Sequence, residues 1–262
     1  MDMSSRKTGP ARLLILLLGA AAGCRGREEI LTIHCGAGLQ PPLAEAIALF
    51  QKERGVSVAA DYAGSEVLLS KIRLTREGDV FLPGDADYVD RAGKEGLVLH
   101  RRTVAFLVPA ILVPKGNPRG IRGVEDLVRP GLRLGLGNPR NTAVGRLTPE
   151  LLKKHGLPPG ALEKNTVFLS ATVNELALQI QAGSLDAVIV WDAVAAQYAR
   201  HGETVSIPPD RNVYSTVDAA VLACCRDPGR AREFVEFLAS ERGRAIFRRH
   251  HYRVEPPDGT KD

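Results

Sequence analysis

The chain has 262 residues, of which 44% are hydrophobic and 25% are charged, the ordinary proportions of a globular protein with one or two domains. These proportions exclude a polytopic membrane protein and a largely disordered chain. The formal net charge is +5 and 5% of the residues are aromatic, so neither a basic surface nor a stacking surface is indicated, and we expect no nucleic-acid partner.

The first 23 residues have the pattern of a signal peptide. Basic residues precede an uncharged run at 13–22, which is too short to cross a bilayer because a membrane span needs about 20 residues. Small residues then lead directly to Cys24, and this arrangement resembles a bacterial lipobox. The resemblance implies that Cys24 becomes the lipidated first residue of an exported, membrane-anchored lipoprotein at the periplasm or the cell surface. An ordinary secretory signal with a chance cysteine is the alternative.

Strand and helix patterns alternate along the first part of the remaining chain. Apolar or alternating runs predict strands at 31–33, 56–62 and 79–82. Apolar residues at helical spacing predict three helices, one that opens at Pro41 and stops at Gly55, one at 67–72 and one at 88–96. A β-rich stretch at 104–113 ends this series.

The alternation then restarts. Strands are predicted at 132–136, 166–169, 186–191 and 214–225, and helices at 143–155, 173–183, 192–201 and 230–250. The run at 186–191 is almost continuously apolar, which predicts a strand that is buried on both faces.

Two successive series of β-α units imply two α/β lobes. We expect residues 1–23 to be the signal peptide, 24–104 with 216–262 to form the first lobe, and 105–215 to form the second. The β-rich runs near 104–113 and 214–222 are expected, from their order alone, to be the crossings between the lobes.

Three cysteines follow Cys24, namely Cys35, Cys224 and Cys225. No Cys-x-x-Cys pair occurs, which excludes a zinc ribbon and a thioredoxin-type motif. We interpret the three cysteines as small buried residues. A disulfide between Cys35 and one of the other two is the alternative, and the sequence leaves it open.

Four predicted strand-to-helix turns carry small residues at a helix start, at 36–39, 63–66, 141–143 and 170–173. Open α/β sheets bind ligands at such turns, where the unpaired N–H groups and the positive dipole end of a helix favour an anion. Ser65 and Thr142 are expected to add hydroxyl donors. Plain helix capping is the alternative at each turn, and the four turns together favour an anion site.

Enzyme motifs are absent or incomplete. The segment 135–140 begins like a dinucleotide fingerprint but lacks the third glycine, and no P-loop, HExxH or GxSxG motif occurs. His34 and the pair His250-His251 are interpreted as structural or solvated residues, and the acidic residues at 79–90 as helix caps. We therefore expect no enzymatic activity, no cofactor and no metal site apart from a metal-containing ligand.

Six stretches, in their order and spacing, resemble the substrate-binding proteins of molybdate/tungstate ABC transporters over residues 30–252. These stretches are 31–39, 62–65, 79–85, 135–139, 188–191 and 245–252. The resemblance implies an α/β, two-lobed periplasmic-binding-protein type II fold, in which each lobe is a mixed sheet flanked by helices and two hinge strands join the lobes.

By this resemblance, the protein captures molybdate or tungstate between its lobes, without catalysis, and delivers it as a monomer to an ABC permease and its ATPase subunit. The matching positions imply ligand contacts from Ala37, Gly38, Ser65, Thr142, Ala143, Val173 and Trp191. Two positions depart from the family pattern, because Trp191 stands where the family usually has tyrosine and Gly38 where it often has serine. A binding protein for sulfate, phosphate or a small carboxylate is one alternative, and an exported enzyme or sensor on the same fold is the other.

Overall fold

The computed structural model describes residues 30–257 of the chain. The expected signal peptide and Cys24 lie outside the described residues, so both stay predictions. Within 30–257, no helix is both long enough and apolar enough to traverse a bilayer.

Ten strands and eight α-helices make up the described part of the chain. The strands are β1 (Leu31–Gly36), β2 (Val58–Ala63), β3 (Val80–Leu82), β4 (Val98–Leu107), β5 (Pro109–Pro114), β6 (Leu134–Gly137), β7 (Thr166–Ser170), β8 (Ala187–Trp191), β9 (Gly202–Val205) and β10 (Ser215–Leu222). The helices are α1 (Gln40–Arg54), α2 (Ser65–Thr75), α3 (Ala86–Lys94), α4 (Ala143–Lys154), α5 (Val173–Gln181), α6 (Asp192–Gln197), α7 (Pro228–Ala239) and α8 (Glu241–Arg249).

The strands form two five-stranded sheets. The first has the order β2-β1-β3-β10-β4, in which β1 runs parallel to β2 and β3 while β10 runs antiparallel to β3 and β4. The second has the order β7-β6-β8-β5-β9, in which β6 runs parallel to β7 and β8 while β5 runs antiparallel to β8 and β9. Two mixed sheets with flanking helices confirm the predicted two-lobed α/β fold.

The chain passes between the sheets twice. β4 ends at Leu107 in the first sheet and β5 begins at Pro109 in the second, so Val108 alone joins them. The return lies between β9 and β10. The stretch predicted as one β-rich segment is therefore two strands of different sheets, and the exact lobe boundaries at 104/105 and 215/216 stay a prediction.

Local sequence signals explain where several elements begin and end. α1 carries prolines in its first turn and ends at Gly55, whose φ of 62° lies in the left-handed region that glycine tolerates. All five residues of β8 are buried, as its continuous apolar run predicted. Phe50 of α1 meets Phe234 of α7 edge to face, with ring centroids 5.0 Å apart, and this contact packs the C-terminal helices onto the first lobe.

Three elements differ from the sequence prediction. The single terminal helix is two helices, because Ser240 caps α8 by accepting a hydrogen bond from the Gly243 N–H at 3.3 Å. The strand predicted to reach 225 ends at Leu222. β9 was not predicted, since this short edge strand contains polar residues and alternates too briefly to stand out.

The cysteines of the described chain are all free thiols. Cys35 is fully buried in β1, and burial raises the pKa of its thiol well above the ordinary value. Cys224 and Cys225 follow β10 and are half-buried. No disulfide therefore joins these three residues.

Candidate functional site

A cavity lies between the lobes, at the turns that follow the strands. It brings together the turn after β1 and the N-termini of α2, α4 and α5, so both lobes contribute. All seven residues expected to contact a ligand line it, within the set Gly36, Ala37, Gly38, Leu39, Ala63, Gly64, Ser65, Gly84, Leu107, Thr142, Ala143, Thr172, Val173 and Trp191. Gly84 and Leu107 also line the cavity, and the sequence does not predict this because neither residue belongs to a helix-start pattern.

The cavity is small and carries no charged side chain among the residues that line it. Its volume is about 30 Å³, and a single water needs roughly 10–15 Å³ on the same scale, so the closed cavity has room for a compact ligand. Ser65, Ala143 and Val173 are the first residues of their helices, where backbone N–H groups have no partner within the helix. The cavity therefore presents N–H donors and the positive ends of helix dipoles, and no charged side chain lines it.

Ser65 adds a hydroxyl to this set of donors. Its side chain is buried, and its Oγ accepts a hydrogen bond from the Gly84 N–H at 3.1 Å. Ser215 in turn donates from its Oγ to the Gly84 carbonyl oxygen at 2.8 Å, which fixes the same loop from the other side. In the described chain the Ser65 hydroxyl hydrogen has no acceptor, so it is available to a ligand.

The two threonines of the site serve as helix caps. The Thr142 hydroxyl donates to the Asn138 carbonyl oxygen at 3.1 Å and accepts from the Gly145 N–H at 3.1 Å. Thr172 accepts from the Glu175 N–H at 3.3 Å. The Thr142 hydroxyl is thus engaged in capping, and both caps hold the first N–H groups of α4 and α5 at the cavity.

Trp191 closes one side of the cavity from the end of β8 and is only 2% exposed. Gly38 faces it from the first lobe: a Cβ atom at position 38 would lie 3.4 Å from the indole Cδ1 and 3.7 Å from Nε1. The Gly38 carbonyl oxygen accepts a hydrogen bond from the buried Tyr252 hydroxyl, which holds the turn after β1 in place.

The lobes contact each other around the cavity. The Asn174 side-chain amide donates to the Ala37 carbonyl oxygen at 3.2 Å, and the Glu66 N–H donates to the Asn141 carbonyl oxygen at 3.4 Å. The chain is therefore in a closed arrangement. No sequence pattern indicates Asn174 as a contact between the lobes, and the one available signal is its place next to Val173 at a helix start.

Ion pairs at two places outside the cavity join the lobes of the described chain. Arg146 of α4 pairs with Asp85, which caps α3, and Arg253 pairs with Asp192 at 3.1 Å. Burial raises the pKa of both carboxyl groups, and the paired guanidinium in each case opposes that rise. These contacts link the lobes without placing charge in the cavity.

Comparison with known proteins identifies relatives of this chain. Residues 31–253 match the family model of the bacterial extracellular solute-binding protein. The molybdate-binding protein ModA of Mycobacterium tuberculosis is 28% identical over 227 residues, which cover 86% of this chain and 85% of that protein.

Solved structures share the fold. The periplasmic molybdate-binding protein of Azotobacter vinelandii superposes with a TM-score of 0.75 at 19% identity, covering 86% of this chain and 100% of that chain. The sulfate-binding protein SubI of Mycobacterium tuberculosis superposes with a TM-score of 0.77 at 20% identity, covering 87% and 88%. The family match spans almost every described residue, and the chain therefore belongs to the bacterial extracellular solute-binding protein family.

Proposed function

We propose that this protein captures a tetrahedral oxyanion, molybdate or tungstate, in the cavity between its lobes and delivers it to an ABC permease and its ATPase subunit. The observation that carries the proposal is the convergence of three helix N-termini from both lobes on one uncharged cavity. An anion gains a hydrogen bond from each free N–H and is stabilised by the helix dipoles, whereas a cation is repelled by both.

The size of the cavity supports a compact ligand. Pockets for ordinary small molecules measure about 300–1,000 Å³, far above the roughly 30 Å³ of this cavity. A tetrahedral oxyanion is compact and presents oxygen atoms in every direction, so donors that approach from opposite lobes can all reach one ion. Hydrogen bonds to a charged acceptor are about twice as strong as neutral ones, which offsets the loss of hydration.

The choice of molybdate or tungstate is supported by the relatives that bear the name molybdate-binding protein. Sulfate is the second candidate, because the sulfate-binding protein SubI shares the fold with a TM-score of 0.77. N–H donors cannot distinguish two dianions of the same shape, so we expect selectivity to come from the dimensions of the closed cavity.

Membership of the extracellular solute-binding protein family implies that the chain is exported. We propose that Cys24 carries the lipid anchor and that the mature chain acts as a monomer at the membrane face. The closed form would dock on the permease, and opening of the lobes would release the ion.

Isothermal titration calorimetry of residues 24–262 tests the ligand. Molybdate, tungstate, sulfate and phosphate are titrated separately, with perchlorate as a tetrahedral monoanion control. We expect molybdate and tungstate to bind tightly, sulfate more weakly, and perchlorate not at all. Tight binding of sulfate with weak binding of molybdate would show that sulfate is the ligand. The absence of binding heat with every dianion at millimolar concentration would overturn the proposal.

A further inference from the structure

The last described residues of the chain return from helix α8 to the junction between the lobes. His251 has a φ of 67°, in the left-handed region, and turns the chain back after α8. The Arg253 carbonyl oxygen then accepts a hydrogen bond from the Phe106 N–H of β4 at 2.7 Å. Phe106 lies two residues before Val108, which joins β4 to β5, so the C-terminal segment 252–254 lies beside this crossing.

The C-terminal segment holds both ends of helix α6 in the second lobe. The Arg253 guanidinium pairs with the carboxylate of Asp192, the first residue of α6, at 3.1 Å. The Tyr252 hydroxyl accepts a hydrogen bond at 3.4 Å from the side-chain amide of Gln197, the last residue of α6. The segment itself is bound to β4 of the first lobe. It therefore connects the lobes at the hinge without being one of the two chain crossings.

The Tyr252 hydroxyl also reaches the ligand cavity from behind. It donates to the carbonyl oxygen of Gly38, which lines the cavity, whereas Tyr252 does not line it. Tyr252 is 2% exposed, and its ring packs edge to face on Phe247 with centroids 5.9 Å apart, so the hydroxyl has a fixed position. Burial raises the pKa of this hydroxyl, which therefore stays protonated and keeps its hydrogen for donation.

The hydrogen bond to Gly38 fixes the backbone of the turn after β1. A trans peptide unit is planar, so the carbonyl of Gly38 and the N–H of Leu39 point in opposite directions. Leu39 also lines the cavity. The neighbouring carbonyl oxygen, that of Ala37, accepts from the Asn174 amide of the second lobe at 3.2 Å. Both carbonyl oxygens, which would repel an anion, are thus held by donors.

We propose that Tyr252 is a positioning residue that sets the residence time of the bound oxyanion. Its hydroxyl couples the turn after β1 to α6 in the closed state, so the turn keeps its shape while the ion is bound. Tyr252 acts through Gly38, because it does not itself line the cavity. This inference rests on the proposed oxyanion binding.

Three variants separate this role from general stability. Tyr252→Phe keeps the ring and its packing but removes both hydrogen bonds of the hydroxyl. Gln197→Leu removes only the bond to α6. Tyr198→Phe is the matched control, because burial is the one influence on its hydroxyl and no hydrogen bond within the described residues involves that group.

Stopped-flow fluorescence of residues 24–262 measures the binding rates. The chain contains a single tryptophan, Trp191, which lines the cavity, so its emission follows oxyanion binding without an added label. Thermal unfolding of each unliganded variant is recorded beside the rates. A variant that merely loosened the fold would unfold at a lower temperature and bind with fewer active molecules, without faster dissociation from those molecules.

The proposal predicts that Tyr252→Phe raises the dissociation rate of molybdate about tenfold and leaves the association rate within about twofold, because the lost bonds act in the closed state. Gln197→Leu should raise the dissociation rate by a smaller factor, at least about twofold. Tyr198→Phe should match the wild type in both rates.

Equal dissociation rates from Tyr252→Phe and the wild type would overturn the proposal, and so would the same increase in Tyr198→Phe. If Tyr252→Phe did not fold, an unchanged dissociation rate in Gln197→Leu would overturn the coupling to α6. A wild-type protein that bound no oxyanion would overturn the proposed function and this inference with it, whereas binding by the wild type with no effect of the variants overturns this inference alone.

Discussion

Gly64 of the first lobe lies directly against the backbone carbonyl of Asn141 in the second: a Cβ atom at position 64 would be 2.5 Å from that oxygen. It would also lie 2.7 Å from the carbonyl oxygen of Ala171. Both neighbours are backbone atoms, which cannot swing away as a flexible side chain can. The missing side chain at this position therefore permits the two lobes to close over the cavity.

Gly64→Ala should block closure without harming the fold. Its φ of −65° is open to alanine, so the unliganded protein should unfold at nearly the wild-type temperature. We expect at least tenfold weaker oxyanion binding by calorimetry. The control is Gly93→Ala in α3, where an added Cβ meets no atom within 4 Å and binding should be unchanged. Wild-type affinity in Gly64→Ala would contradict the closure argument.

Arg146→Met should weaken the closed state by leaving Asp85 without its partner. The Asp85 side chain is 8% exposed and that of Arg146 is 34% exposed, so the carboxylate would be desolvated and unpaired whenever the lobes close. Because Arg146 is partly exposed, we expect a loss of about 1–2 kcal/mol in binding, roughly tenfold in Kd.

Lys153→Met is the matched control for the charge change, since Lys153 is exposed on the same helix. Its affinity should equal that of the wild type. If both variants bound the oxyanion equally well, the ion pair would have no part in closure.

Ser65→Ala should remove a ligand donor and loosen the loop at Gly84, whose N–H now donates to Ser65 Oγ at 3.1 Å. A hydrogen bond to a charged acceptor contributes about 1.5–3 kcal/mol, so we expect roughly tenfold to hundredfold weaker binding in a calorimetric titration. Ser70→Ala lies in the same helix outside the cavity and should bind normally. Unchanged affinity in Ser65→Ala would remove this hydroxyl from the site.

Much of this architecture is visible in the sequence, because it depends on local signals. Pro41 and Gly55 mark the ends of α1, and the apolar run of β8 marks a buried strand. The small residues at the helix starts indicated Ser65 and Val173 as cavity residues, since strand-to-helix turns meet at one edge of a sheet.

The remaining features depend on contacts between distant parts of the chain. The proximity of Gly38 and Trp191, and of Gly64 and Asn141, exists only when the lobes close, and no local pattern encodes it. The Thr142 hydroxyl was expected to be a ligand donor; it caps the start of α4 here, and its contact with a ligand stays a prediction. Capping and ligand binding select the same residue types at a helix start, so sequence cannot separate them.

The free energy of unfolding should depend on pH in the acid range because of Glu125. A hydrogen bond with His155 at 3.0 Å, a backbone N–H and Arg211 hold the pKa of Glu125 at about 2, below its ordinary value of 4.5. A carboxyl group with a lowered pKa stabilises the fold above its ordinary pKa, and this stabilisation is lost as pH falls from about 4.5 towards 2.

Glu125→Gln should therefore unfold at a lower temperature than the wild type near neutral pH, and the difference should shrink below pH 4.5. Glu150→Gln, an exposed change on α4, should show no such pH-dependent difference. Thermal unfolding followed by circular dichroism from pH 2.5 to 7 gives the comparison. A gap between Glu125→Gln and the wild type that stayed constant with pH would rule out this role.

Cys24→Ser should abolish the membrane anchor. In a bacterial host fed an alkyne-labelled fatty acid, the full-length wild-type chain should become labelled and sediment with membranes. The variant should remain unlabelled and appear in the soluble exported fraction. Labelling of the variant would place the lipid on another residue, and an unlabelled wild type would favour an ordinary secretory signal.

A crystal of residues 24–262 grown with tungstate tests the central claim most directly. Diffraction data collected at the tungsten absorption edge locate the ion independently of any atomic interpretation. The account predicts one strong anomalous peak in the cavity, placed so that the oxygens around the tungsten atom lie within hydrogen-bond distance of the N–H groups of Ala143 and Val173 and of the Ser65 hydroxyl. A peak elsewhere on the protein, or none in the cavity, would contradict it.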